Sequence, residues 1–446
     1  MTRGWAVLLL VLALGLAPRA AFTEPPEPEA EAVRLTVEEA VARAREAAPR
    51  LAALRAAQRA ADAGVRGAEA GRLPVLDLQA SYNRLSEVPE LRGLLPGEGV
   101  VTIFPNIPDN YWTRVGLSLP LYTGGRVTGS IDAARRLSEA AAADLTGADR
   151  DLVLETTTAF WALVTARENA RVLREGLAAY EAHLVDARNR EDQGLAARNE
   201  RLSVQAARDR AELGRLEAEN SAAVANADLV RLTGLPPGAR VLPAEAGEAP
   251  AALPPVVEAL VAEALGSRSE LRAIRARAAA AEASLKVARA EGRPQATVAA
   301  GYEYANPNVR ILPPEAAWKS SWNVGVSLAW TPFDGGRAAA ATAQATAEAE
   351  ALQRQAEDLE QHIRLEVTSA ALEVETADRA VQAAASGLEA ARESARVAHD
   401  RYREGLLPSA ELLDTEAALL GAGLDQTAAA ARRRVARARL DRALGH

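Results

Sequence analysis

The sequence predicts a mainly α protein: duplicated long helical hairpins forming an α-barrel, with four transmembrane β-strands that contribute to a β-barrel shared by a trimer. Three observations carry this. The composition is dominated by Ala, Arg, Glu and Leu, with one Met, no Cys and 4% aromatic residues, which favours long helices over packed mixed sheets. Two stretches, 126–193 and 337–404, run without a proline. Four segments of about ten residues alternate apolar with small or polar side chains, the proportions of a bilayer-crossing strand.

Residues 1–21 contain Arg3 and the apolar run WAVLLLVLALGLA followed by small residues, the layout of a secretory signal peptide. Export is therefore expected. The run is shorter than the ~20 residues a membrane-spanning helix needs, and no later segment comes closer. A flexible N-terminal segment over 22–34 follows, then a first repeat over 35–234, a Pro-, Ala- and Gly-rich linker over 235–255 and a second repeat over 256–446. Placing Gly124-Gly125-Arg126 on Gly335-Gly336-Arg337 also places Gly194 on Gly405, Leu195 on Leu406, Glu200 on Glu411 and Leu202 on Leu413. Upstream, Pro74 meets Pro294 and Tyr82 meets Tyr302 only at a larger offset, so the first repeat carries an insertion between Tyr82 and Gly124.

Each repeat opens with two short helices. LTVEEAVARA has Thr36 as a cap with Glu39 three residues on, and Pro49 separates it from a helix over about 50–71. PPVVEALVAEAL and residues 270–292 play the same parts in the second repeat. Strands are expected over about 75–84 and 112–122, and over about 295–304 and 321–331, with a loop inside each pair. The proline-free stretches then give helices of about 100 Å at 1.5 Å per residue, too long for an ordinary globular domain. Gly194 and Gly405 end them as left-handed C-terminal turns do. Return helices over about 197–233 and 409–444 complete two hairpins whose Leu, Val and Ala recur at three- and four-residue intervals.

One face of each strand is apolar: Leu76, Leu78, Ala80 and Tyr82; Val115, Leu117, Leu119 and Leu121; Val298, Ala300, Tyr302 and Tyr304; Trp322, Val324, Val326, Leu328 and Trp330. The other carries small or polar residues such as Asp77, Gln79, Arg114, Ser118, Thr297 and Asn323. Most Trp and Tyr residues lie in or beside these segments, and Tyr82, Trp112, Tyr122, Tyr302, Tyr304, Trp322 and Trp330 are candidates for a girdle at the membrane interface. Four strands cannot close a barrel, and hydrocarbon does not tolerate an open edge with unpaired backbone groups. Several protomers must then share one barrel, and three give about twelve strands. Gly124, Gly125 and Arg126, like Gly335, Gly336 and Arg337, become strand-to-helix junctions, glycine supplying backbone freedom and arginine the polar boundary. A soluble four-stranded sheet with an aromatic core is the competing reading.

With a net charge of -8 and interleaved acids and bases, the chain has no concentrated cationic stripe for phosphates, which argues against a nucleic-acid partner. The Arg-rich run 432–442 is the exception, and it reads as helix C-terminal cations and solvated faces. His183, His362, His399 and His446 are dispersed without ligand spacing, and no nucleophile elbow or phosphate loop is present. An enzyme, a cofactor and a bound metal are all unexpected.

LYTGGR, PFDGGR, RYREGLLPSAELLDTEAAL and LVRLTGLP, set in this duplicated frame, resemble the TolC family of bacterial outer-membrane efflux and secretion channels over 35–444. The resemblance implies a homotrimer in outer-membrane lipid of a Gram-negative-type bacterium, with a helical tunnel through the periplasm. It implies an exit duct for a tripartite efflux or type I secretion system, docked to a periplasmic adaptor and an inner-membrane pump of the RND or ABC type. It also implies a gate at the periplasmic end. There Glu411 and Asp414, three residues apart on one face, would form acidic rings in a trimer, or serve only as first-turn acids favoured by the helix dipole. Glu200 and Tyr402 match positions that take part in closed-state links, while Leu407 stands where the family has an arginine, so one link is expected to be missing. The turns at Gly194-Leu195 and Gly405-Leu406 match the tips that meet the adaptor, or are plain helix turns. A soluble exported coiled-coil tether and a periplasmic adaptor are the alternatives, although an adaptor usually has one helical hairpin and no alternating membrane strands.

Overall fold

The computed structural model describes residues 32–97, 99–244 and 256–446. The expected signal peptide, most of the N-terminal segment and much of the linker lie outside the described residues. The first repeat consists of β1 (Ala32–Leu35), α1 (Val37–Ala47), α2 (Pro49–Ala70), β2 (Val75–Arg84), β3 (Leu91–Leu95), β4 (Gly99–Phe104), β5 (Asp109–Tyr122), α3 (Arg126–Asp192) and α4 (Arg198–Thr233). After β6 (Arg240–Pro243) come α5 (Val257–Ser267), α6 (Ser269–Ala290), β7 (Gln295–Asn306), β8 (Lys319–Ala329), α7 (Arg337–Arg403) and α8 (Ser409–Leu444). Corresponding helices match in length: 11 residues for α1 and α5, 22 for α2 and α6, 67 for α3 and α7, 36 for α4 and α8.

Local chemistry sets the helix ends. At the start of α1 the Thr36 hydroxyl accepts from the Glu39 N–H at 3.2 Å, and the Glu39 carboxylate accepts from the Thr36 N–H at 2.9 Å, closing a capping box. Pro49 takes the first position of α2, where its missing N–H costs nothing. The long helices depend on their neighbours. On the strand side α2, α3, α6 and α7 lie side by side; on the far side the order is α4, α3, α8, α7. Alanines such as Ala140, Ala159, Ala170, Ala370 and Ala377 are buried along these seams, and small side chains let helix axes approach closely. Two larger cores stand where the sides meet: Leu51, Phe160, Leu163, Leu229 and Val241 in the first repeat, Leu271, Ile363, Val367 and Leu440 in the second.

Two segments differ from the sequence reading. Ala32–Leu35, mostly assigned to the flexible N-terminal segment, pairs in parallel with Arg240–Pro243, assigned to the linker. Leu35 and Val241 enter the first core, and the Asn226 amide bonds both the Ala239 carbonyl and the Val241 N–H at 2.8 Å. Four-residue strands are too short to show a period, so only the core they complete reveals them. The loop expected inside the first strand pair contains the antiparallel β3–β4 hairpin, in the region of the insertion.

Candidate functional site

Strands β2, β5, β7 and β8 form one antiparallel sheet in that order. Directly opposed residues share a face, so Leu76, Leu117, Ala300 and Val324 form one cross-strand row, and Leu78, Val115, Tyr302 and Trp322 the next. This apolar face is uncovered: Leu76, Leu78, Val326 and Leu328 are 71–72% exposed. On the other face Asp77, Gly116, Gly301 and Asn323 form a row. A Cβ on Gly116 would stand 2.5 Å from an Asp77 oxygen, and one on Gly301 3.1 Å from the Arg114 guanidinium. Glycine there lets long polar side chains lie flat across the sheet.

Aromatic rings gather at both ends of the apolar face. At the end away from the helices Tyr82 stacks on Tyr111 at 4.8 Å and Tyr304 on Trp318 at 5.0 Å, with Tyr302 opposite Trp322. At the helix end a bulge brings Tyr122 opposite Ala296. Trp330 falls just past β8 and donates its indole N–H to the Gly292 carbonyl at 3.2 Å. From position 296 to 304 the chain covers about 26 Å at ~3.3 Å per residue, close to the ~25 Å of an outer-membrane apolar band. Trp112 departs from the expected girdle. It stands opposite Ser81 and Ala305 on the polar face, because Tyr111 holds the apolar register.

Both Gly-Gly-Arg sequences are the junctions between strand and long helix. Gly125 and Gly336 cap α3 and α7 with φ of 99° and 90°, a left-handed geometry that side chains resist. Arg126 and Arg337 follow as exposed first residues of the helices. Gly124 is also hemmed in by α6, with Arg293 Nη1 donating to its carbonyl at 3.0 Å. The residue before each pair supplies a cap. Asp334 accepts from the N–H groups of Ala338 and Gly336 at 2.8 and 2.9 Å, and those bonds hold its carboxyl below the usual range. Thr123 accepts from Val127 N–H at 3.3 Å.

At the far end Gly194 and Gly405 turn each hairpin with φ of 73° and 75°, and Leu195 and Leu406 project from the turns, 74% and 72% exposed. Glu411 and Asp414 lie exposed at the start of α8, and neither carboxylate makes an ion pair among the described residues. Tyr402, buried between the hairpins, packs with Ala398, Leu407 and Leu412. Its partner across the seam is Arg190 of α3, whose guanidinium sits 4.2 Å above the ring and donates to the Tyr402 carbonyl at 2.6 Å. Burial pushes the Tyr402 phenol's pKa up, Arg190 opposes that, and the charge of half-buried Glu200 adds to it. Arg201 pairs with Glu191 across the α3–α4 turn.

The model of the outer membrane efflux protein family matches residues 40–235 and 260–446. The chain belongs to that family. Among solved structures it is similar to the outer-membrane channel OprN, with 25% identity, a TM-score of 0.77, and coverage of 92% of this chain and 89% of that one. It also resembles the outer membrane protein VceC from Vibrio cholerae (20% identity, TM-score 0.76, 92% and 96% covered) and the open state of the Neisseria gonorrhoeae MtrE outer membrane channel (22%, 0.73, 92% and 88%). No curated protein matches the chain significantly. In this outer membrane efflux protein the sequence reading named Tyr402 but not its contact Arg190, which no local pattern distinguishes from its neighbours. It also treated the histidines as dispersed. His183 and His399, far apart in sequence, both approach the buried Glu416 of α8, at 3.6 and 3.2 Å. Position along three separate helices brings them together, and no spacing rule could have shown it.

Proposed function

We propose that three copies of the chain form the exit duct of a tripartite efflux or type I secretion system, a barrel in the outer membrane of a Gram-negative-type bacterium continued by a periplasmic tunnel. The sheet carries this reading: four strands with an uncovered apolar face, and edges at β2 and β8 that have no partner among the described residues. In a membrane those edges must pair, and β8 of one copy meets β2 of the next. Twelve strands ~4.8 Å apart and tilted by ~40° close a cylinder about 24 Å across. Four helices per copy at each level give a ring of twelve, about 36 Å between opposite axes at ~9.5 Å spacing, so barrel and tunnel are continuous.

The tips at Gly194-Leu195 and Gly405-Leu406 meet the periplasmic adaptor, which couples the duct to an inner-membrane pump of the RND or ABC type. Glu411 and Asp414, which make no ion pair among the described residues, form acidic rings at the narrow end. The Arg190–Tyr402 contact supplies a tie between hairpins where Leu407 replaces the expected arginine. The chain acts as a conduit and performs no chemistry of its own. The test is a heat- and SDS-resistant trimer in outer-membrane fractions with single-channel conductance in planar bilayers; a monomer soluble in plain buffer and without conductance refutes the proposal.

A further inference from the structure

Glu416 is 6% exposed, yet neither of its carboxylate oxygens receives a hydrogen bond. His183 Nδ1 and His399 Nε2 approach opposite oxygens at 3.6 and 3.2 Å without completing one. Among the described residues no three such groups are placed to share a metal ion. A carboxylate withdrawn from water without donors is costly unless a cation meets it.

The same side chain lines an open-sided cavity of about 460 Å³ between α3, α7 and α8. Val172, Leu388, Leu419 and Leu420 give it apolar walls, and Tyr180 adds an aromatic ring. Burial, and then the Glu416 carboxylate, raise the Tyr180 phenol's pKa. The cations of the rim are largely committed: Arg171 to Glu168 and Glu175, Arg396 to Glu393 and Asp400. Arg392 shares the rim, and no bond from it reaches Glu416.

We propose that this cavity binds a hydrophobic organic cation, with its rings against Leu388, Leu419 and Leu420 and its charged nitrogen at Glu416. The size suits a few fused rings, and the Tyr180 ring lines the same cavity. The proposal does not depend on the exit-duct reading, because binding is measured on the purified chain.

Ethidium, a planar quaternary cation, is titrated into the purified full-length protein by equilibrium dialysis, with uncharged phenanthridine as the comparison. Saturable binding at one site per chain is expected, weakened at least ten-fold by Glu416→Gln. Leu420→Trp, which fills the cavity and leaves the carboxylate, and His399→Lys, which places a fixed ammonium beside it, produce the same loss in protein whose helical circular dichroism is unchanged. Ethidium affinity that survives Glu416→Gln, or phenanthridine bound as tightly as ethidium, overturns the proposal.

Discussion

Val324→Arg tests the membrane reading at its most sensitive point. Val324 opposes Ala300, which opposes Leu117, which opposes Leu76, a row midway between the aromatic residues at the two ends of the sheet. An arginine at the bilayer midplane of a β-barrel costs about 2–4 kcal/mol, so three copies cost about 6–12 kcal/mol per trimer. Gly325→Arg one residue on is the control: it enters the opposite face, where nothing lies within 4 Å of an added Cβ. If the sheet were water-exposed, Val324, 66% exposed, could be replaced at a cost within about 0.5 kcal/mol. The assay is the heat- and SDS-resistant trimer fraction, together with the guanidinium midpoint in lipid vesicles. Val324→Arg should abolish the resistant trimer and Gly325→Arg should leave it. A Val324→Arg trimer as resistant as wild type, or equal damage from both variants, refutes the assignment of this face to lipid.

Arg190→Ala removes the bond to the Tyr402 carbonyl and the contact with its ring; a loss of about 1–3 kcal/mol at the tip is expected, read as higher closed-state conductance in planar bilayers, and unchanged conductance counts against the tie. Gly336→Ala forces a side chain into φ of 90° and should cost about 1–2 kcal/mol, lowering the trimer's Tm, whereas Gly325→Ala, with no positive φ, should not. Glu270 joins α6 to α8: burial pushes its carboxyl pKa up, but its own backbone N–H, Arg442 and Arg268 outweigh that and hold it below the ordinary carboxylate value. A lowered folded pKa gives stability that is present above the unfolded pKa of ~4.3 and lost as pH falls through the folded value. Glu270→Gln should therefore cost about 1–2 kcal/mol at neutral pH and flatten the acid limb of a melting-temperature profile; an identical acid limb in the variant contradicts this.

Much of the architecture is written in local pattern. The capping box at Thr36, Pro49, the glycine pairs and the absence of proline through α3 and α7 mark helix limits within a few residues. Two-residue alternation assigned the strand faces, and it also bears on Trp112, which shares the parity of Arg114 and Gly116 and so lies on the polar face. What stayed illegible was non-local. The β1–β6 pair is too short for a period, and the insertion gave no sign that it would hold a hairpin.

The sequence by itself determined the duplication, the helix lengths and the two faces of each strand, because these follow from backbone propensities and periods that act within a few residues. Only the tertiary structure decided which side chains meet across the seams: Arg190 with Tyr402, and His183 and His399 with Glu416. Those encounters depend on the rotation and axial position of helices up to ~100 Å long, set by the sum of many small alanine contacts, and a sum of that kind leaves no signature at any single residue.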